Sequence, residues 1–215
     1  MRVRRIICNV KNIVCALVIC FLMIAAFSVV AFAATDLGTL SYWYSDGARI
    51  ARWNESSVGV YVNKLNSNGY FYFAMGISEG CDKWDEVINL TVNYSPLDTS
   101  ALIQYHGGTI AEINEYGEFA LDSSVNGVTR FSSSFEGNWR YGTTSKEGYL
   151  LSNIIGCIVD KDHTTDEYRK TCAHELGHAL GWLGHSRNIN DIMYSFGSDS
   201  TSLTTRDANH LSQVY

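Results

Sequence analysis

Residues 164–185 carry the pattern that most constrains how this chain can fold. Thr164 and Glu167 have the Thr-x-x-Glu spacing of a capping box, which predicts that a helix begins there. The apolar face of that helix consists of Tyr168, Cys172, Leu176 and Ala179 or Leu180. Because apolar residues at this spacing bury one side of a helix, the segment predicts a long helix that packs against a core.

The same helix carries two histidines, His174 and His178, four residues apart. Side chains at this spacing lie one turn apart on one face, so both imidazoles can reach a single metal ion. Glu175 projects about 100° further around the helix, where it can take a proton from a metal-bound water without binding the ion itself. This His-Glu-x-x-His arrangement is typical of zinc peptidases. Taken alone, it also fits a solvated helix face that binds no metal.

The residues that follow the helix can supply a third metal ligand. Gly181 lies three residues after His178, and a glycine there can end the helix in a left-handed conformation and turn the chain sharply. Such a turn lets His185 fold back toward the two helical histidines. Met193, eight residues beyond His185, predicts an apolar floor beneath the site.

These residues together resemble the metzincin zinc endopeptidases, and within them the matrixin branch (peptidase M10 type). In that branch the last histidine is followed by serine and a Met-Tyr pair closes the turn; here these are Ser186 and Met193-Tyr194. Residues 203–215 are similar to the family's last helix, with Thr204 or Thr205 as its cap. The resemblance implies an α+β fold: a twisted mixed β-sheet, a long active-site helix and a small C-terminal subdomain ending in a helix.

One position departs from the usual family pattern. The third histidine normally comes three residues after the glycine, and that position is Gly184 here. Two arrangements are compatible with this shift. Either Gly184 widens the turn and His185 binds the metal, or Asp191 binds it and His185 lies beside the ligands. The first is favoured, since glycine tolerates a positive φ and suits an altered loop.

The resemblance implies an activity: hydrolysis of peptide bonds with one catalytic Zn²⁺. The expected metal ligands are His174, His178 and His185, and the expected general base is Glu175. The substrate is then a protein or peptide that lies extended along an edge strand, for which residues 127–135 are the candidate. Two other functions stay open at this point. The domain can be a non-catalytic secreted or surface binding module, or a zinc amidase acting on cell-wall peptides.

The remaining pattern indicates mixed secondary structure. Alternating or continuous apolar residues predict strands at 58–62, 88–94, 101–105 and 153–159. Phe73, Ile77, Cys81, Trp84 and Ile88 recur at spacings of three and four and predict a helix. Strands around at least one early helix fit an α+β or mixed α/β class.

Residues 1–33 resemble a secretory signal. Four basic residues in the first eleven precede an uncharged apolar run at 13–32, and Ala31-Phe32-Ala33 offers a cleavage site. We therefore expect a signal peptide at 1–33, one secreted domain at 34–215 and no stable membrane association after cleavage. The alternative is an uncleaved anchor, because about 20 apolar residues can span a bilayer.

Removal of the leader leaves a strongly acidic domain. The leader holds four of the 16 Lys and Arg residues and none of the 22 Asp and Glu residues, so the remainder has a net charge of −10. A domain this acidic is a poor nucleic-acid binder. We expect the domain to be a monomer and to have no nucleic-acid partner.

Several further residues carry weaker expectations. Cys81, Cys157 and Cys172 remain after cleavage and are expected to be buried small hydrophobes, with one disulfide at most. His106 is expected on a surface loop, and a structural second zinc bound there is the alternative that the resemblance implies. Asp160, Asp162 and Asp166 leave a calcium site open, although their spacing matches no known calcium loop.

Overall fold

The structure is a computed structural model that describes residues 51–65, 69–131, 134–140, 147–195 and 200–215. All of them belong to one compact unit, Gly38–Tyr215. The signal peptide expected at 1–33 lies outside the described residues. Within the described ranges, no helix combines the length and the apolar character needed to cross a membrane.

The described chain contains eight strands and four helices. The strands are β1 (Ala51–Arg52), β2 (Ser57–Lys64), β3 (Thr91–Tyr94), β4 (Ile103–Gly108), β5 (Gly127–Arg130), β6 (Phe135–Arg140), β7 (Glu147–Leu151) and β8 (Ile154–Val159). The helices are α1 (Tyr70–Asp85), α2 (Ile110–Tyr116), α3 (Thr165–Ala179) and α4 (Thr205–Ser212). These elements confirm the expected α+β class.

A five-stranded mixed sheet forms the centre of the fold, in the order β3-β2-β4-β8-β5. The first four strands are parallel to their neighbours, and β5 pairs antiparallel with β8 at the edge. Helix α1 makes the crossover between the parallel strands β2 and β3, as parallel pairing requires. A second sheet, β1-β7-β6, pairs β7 parallel with β1 and antiparallel with β6.

Helix α3 packs against α1 through the predicted apolar faces of both helices. Phe73, Ile77, Cys81 and Trp84 of α1 are all fully buried, as their spacing predicts. The Trp84 indole Nε1 donates to the carbonyl oxygen of Ala173 in α3 at 2.9 Å. This packing fixes α3 beneath the sheet.

Two expectations about the fold are corrected by the structure, and some elements were not predicted. The strand expected at 88–94 begins only at Thr91, because the amide of Ile88 still bonds back to the Trp84 carbonyl after α1 ends. Helix α2 and strands β1, β6 and β7 were not predicted from the sequence. His106 lies not on a surface loop but in β4, where it is 3% exposed, because β4 is flanked by β2 and β8.

The three cysteines are free thiols and are buried, in line with the expectation that they act as small hydrophobes. No bridge connects them. Cys172 belongs to α3, where its Sγ lies 3.9 Å from the Phe73 carbonyl oxygen of α1. They therefore contribute to core packing between the helices and the sheet.

Candidate metal centre

Helix α3 begins and ends as its sequence predicts. The Thr164 side chain accepts from the amide of Glu167, and the Glu167 carboxylate accepts from the amide of Thr164, which completes the capping box. At the other end Gly181 has φ of +109°. The amide of Gly181 donates to the His178 carbonyl at 2.8 Å, and the amide of Trp182 donates to the Gly177 carbonyl at 2.9 Å. This pair of bonds is a Schellman motif, and it turns the chain back toward the helix.

The three predicted histidines come together after that turn. One ring nitrogen from each of His174, His178 and His185 lies within 4.8 Å of the others. The Nε2 atoms of His174 and His178 are 3.1 Å apart. In a tetrahedral zinc site with bonds of about 2.0–2.1 Å, two nitrogen ligands are separated by about 3.3 Å. The spacing therefore fits a zinc ion.

The hydrogen bonds of the other ring nitrogens support the same conclusion. Nδ1 of His174 donates to the Ile192 carbonyl oxygen and Nδ1 of His178 to that of Trp182, each at 2.7 Å. A carbonyl oxygen only accepts, so in the neutral imidazoles each Nε2 carries a lone pair. Two lone pairs facing each other at 3.1 Å repel unless a cation lies between them. The donor set is thus arranged for a metal ion.

The loop after α3 places His185, and not Asp191, at this centre. Gly184 has φ of +99°, which allows the wider turn that the shifted spacing requires. Asp191 is fully buried and accepts from the Ser186 and Thr204 hydroxyls and from Arg206 Nε. Its carboxylate therefore stabilises the loop instead of completing the ligand cluster.

Burial keeps all three imidazoles in the form that binds metal. It lowers the pKa of His174 to about 4 and that of His178 to about 3, the latter also through the neighbouring His174. Burial also lowers the pKa of His185. Neutral imidazoles can donate their lone pairs to an ion at physiological pH, since the ligand must be deprotonated.

Glu175 is buried beside the histidines at 6% exposure. The Thr129 hydroxyl of β5 donates to its Oε2 at 2.7 Å. Burial raises the pKa of Glu175 to about 7, while the Thr129 hydrogen bond acts in the opposite direction. A divalent ion nearby favours the carboxylate, the form that can accept a proton. Sequence alone gave no signal for Thr129, because its role depends on the pairing of β5 at the sheet edge.

A turn beneath the histidines is fixed by α4. Met193 is fully buried, which confirms the expected apolar floor. The Asp207 carboxylate accepts from the amides of Ile192 at 2.9 Å and Met193 at 3.3 Å. Because the Ile192 carbonyl accepts from His174, Asp207 positions a metal ligand through the turn. Thr204 caps α4, as one of the two expected residues.

Removal of the Asp207 carboxylate is expected to destabilise the fold and weaken the metal site. Asp207→Ala leaves two buried amides without an acceptor, which costs about 3 kcal/mol in the free energy of unfolding. Zinc affinity should fall by about tenfold or more, as for other groups that orient metal ligands. Urea unfolding and a competitive zinc titration measure the two effects. Asp162→Ala, at an exposed position, is the matched control, and an equal loss there would contradict the assignment.

His210 of α4 makes stability depend on pH. It is 3% exposed, its ring stacks on Trp182 with centroids 3.7 Å apart, and burial lowers its pKa to about 4. An unfolded histidine has a pKa of about 6.5. Between those values the unfolded chain binds a proton that the folded chain does not, so stability falls as pH drops from 6.5 toward 4.

We expect His210 to lower the free energy of unfolding by about 2 kcal/mol at pH 5 relative to pH 7.5. The measurement is urea unfolding at both pH values for the parent and for His210→Gln, which cannot titrate. The metal ligands contribute equally in both proteins, so the difference between the pH dependences of the two proteins contains only the contribution of His210. The two proteins should differ in their pH dependence by that amount, and parallel curves would show that His210 is not buried in its neutral form.

Two cavities flank the histidines along β5. The first has a volume of about 430 Å³ and apolar walls that include Val128, Phe131 and Leu183. The second has a volume of about 480 Å³ and extends along α3 toward Lys170. Gly127, Glu175 and His185 border both. Strand β5, expected within 127–135 as the substrate edge, is indeed an edge strand of the sheet.

The calcium hypothesis gains no support from the structure. Asp160 accepts from the amide of Gly69 and from the Tyr168 hydroxyl, and Asp166 pairs with Arg169. Across the described ranges, the group of side chains close enough to hold a metal ion is the histidine triad.

A mixed sheet above a helix with His-Glu-x-x-His, a third histidine and a methionine turn defines a zinc metalloendopeptidase. The sequence profile of the matrixin family matches residues 77–215. The chain therefore belongs to the matrixin family (peptidase M10), as its motifs predict.

Other comparisons are more distant. Two solved structures of myroilysin are similar to this chain, with 13% and 14% identity and TM-scores of 0.41 and 0.43. The first match covers 76% of this chain and 95% of the other, and the second covers 82% and 94%. No curated protein sequence matches significantly.

Proposed function

We propose that this protein is a secreted endopeptidase in which Glu175 is the general base and His174, His178 and His185 hold the catalytic zinc. The observation that carries the proposal is the convergence of three neutral imidazoles beside a buried carboxylate, in a cleft that follows an edge strand. These are the parts that metal-assisted peptide hydrolysis requires.

Each part of the cleft has a distinct task. When bound, zinc supplies Lewis-acid activation of water and of the peptide carbonyl. Glu175 accepts the proton of the attacking water and returns it to the leaving amine, while Thr129 holds its carboxylate in place. Strand β5 is an edge strand of the sheet among the described strands, so an extended substrate can add to it as a further strand. The turn fixed by Asp207 keeps His174 in position.

Export is supported by the leader. Basic residues, an uncharged apolar run at 13–32 and the Ala31-Phe32-Ala33 sequence have the order of a secretory signal. The mature domain at 34–215 then acts outside the cell on proteins or peptides, as a monomer without a nucleic-acid partner. Sequencing the amino terminus of the protein recovered from the medium tests this directly. A start at Ala34 is expected, and retention of the full chain in the membrane fraction would contradict it.

Proteolysis itself is tested with an unfolded protein substrate. The mature domain should cleave it, a chelator should abolish cleavage, and added zinc should restore it. Peptide ends mapped by mass spectrometry show whether internal bonds are cut. A domain that holds stoichiometric zinc but cuts nothing in a broad peptide library would instead be a binding module.

A further inference from the structure

The cavity of about 480 Å³ connects the metal centre to a lysine. At one end it is bordered by His174, Glu175 and His185, and at the other by Lys170 and Thr171. Lys170 and His174 are four residues apart in α3, so they lie on the same helix face about 6 Å apart along the axis. A substrate side chain next to the scissile bond can span that distance.

The charge of this cavity comes from Lys170. Among the described residues that line it, Lys170 is the only lysine or arginine. Near Lys170 the lining is uncharged: Ser124, Asn126 and Thr171 are polar, and Val125 is apolar. Glu175 lies at the reacting end, where Thr129 holds its carboxylate. The distal end of the cavity is therefore positive.

The acidic side chains nearest in sequence are engaged elsewhere. The Glu167 carboxylate accepts from the amide and hydroxyl of Thr164 in the capping box, at 2.6 and 2.8 Å. The Asp166 carboxylate lies 3.1 Å from Arg169. Hydrogen bonds from Thr164 are the main cause of the lowered pKa of Glu167, and the nearby charge of Lys170 is the smallest one, so the direct partner of that carboxylate is Thr164. Lys170 lines the cavity.

Residues 124–127 form the opposite wall of this cavity, and Lys161 holds this segment in place. Lys161 Nζ donates to the Ser123 carbonyl oxygen at 2.9 Å and to Asn126 Oδ1 at 2.8 Å. These two hydrogen bonds connect residue 126 of that wall, and residue 123 beside it, to Lys161. The cavity of about 430 Å³ offers no such charge: Val128, Phe131 and Leu183 make its walls apolar.

We propose that Lys170 determines substrate specificity by selecting an aspartate or glutamate next to the scissile bond, on the side of the cleft away from Phe131 and Leu183. The inference rests on the proposed proteolytic function. Although the whole domain is acidic, the local field decides which side chain the cavity accepts, and a carboxylate pairs with the ammonium through charge-assisted hydrogen bonds.

A peptide library that varies the two residues flanking the cleaved bond tests the proposal. At one flanking position, Asp or Glu should raise kcat/KM about tenfold over Gln or Leu, as expected for a hydrogen bond to a charged group. The preference should weaken as salt is added. Lys170→Met should abolish it, and Lys170→Glu should shift it toward Lys and Arg. Lys64→Glu, an exposed change of equal charge on β2, should leave it intact.

A binding measurement separates this proposal from the proposed function. In the Glu175→Gln protein, fluorescence anisotropy should show tighter binding of an Asp-containing peptide than of its Asn analogue, and Lys170→Glu should remove the difference. Cleavage without acidic preference, or a preference unchanged by Lys170→Glu, would overturn the role of Lys170 alone. Absence of cleavage of any peptide, with the binding preference retained, would overturn proteolysis and leave a cavity that binds acidic side chains through Lys170.

Discussion

Glu175→Gln is expected to lower kcat/KM by about 10³-fold, within the usual range for loss of a general acid–base group. Glutamine has almost the same shape, and its carbonyl can still accept from Thr129, which lies 2.7 Å from the native Oε2. It cannot accept the proton of the attacking water. The three histidines are untouched, so zinc content should stay at about one per chain.

The measurement pairs steady-state peptide hydrolysis with metal analysis on the same preparation. Glu115→Gln, an identical change at an exposed position of α2, is the matched control and should behave as the parent. Turnover at the parent rate in Glu175→Gln would remove this residue from the mechanism. Loss of zinc together with activity would show that the carboxylate supports the metal site.

The second large effect concerns the turn that brings His185 to the metal. Gly181→Ala is expected to reduce the free energy of unfolding by about 3 to 5 kcal/mol, through backbone strain and overpacking together. Its φ of +109° is rarely adopted by residues with a side chain. A Cβ at this position would also overlap the Ala51 carbonyl oxygen and lie 2.9 Å from its carbon. Both are backbone atoms of β1 and cannot rotate away.

The Gly117→Ala variant separates the effect of backbone strain from the effect of overlap between a Cβ and neighbouring atoms. Gly117 also has a positive φ, +89°, but the nearest atom to a Cβ there is 4.0 Å away. Strain alone should cost about 1 to 2 kcal/mol at that position. Urea unfolding of both variants measures the difference. Equal losses would mean that the contact between Gly181 and Ala51 does not constrain the turn.

The features that sequence alone predicted share a local origin. The capping box of α3, its apolar face and its glycine termination each depend on residues within a few positions of one another, and all three are found. The position of His174 and His178 on one helix face follows from the period of the helix. From the sequence, the third ligand could be either His185 or Asp191. Only the path of the loop through Gly184 decides between them.

The features that sequence did not predict depend on distant contacts. Thr129 reaches Glu175 only because β5 pairs with β8, and Asp207 reaches the turn at Ile192 only because α4 packs there. His106 looked like a loop residue beside two glycines, yet those glycines continue strand β4. Helix α2, although it was not predicted, does carry a local signal, the Thr109-x-x-Glu112 capping box.

Metal analysis of the purified mature domain and of His185→Ala tests most directly the claim that three imidazoles hold one zinc. The parent should retain about one zinc per chain after dialysis against a mild chelator. His185→Ala should lose it under the same conditions, because two ligands bind too weakly. Full zinc retention by His185→Ala, or a parent that binds none, would contradict a zinc site made of these three imidazoles.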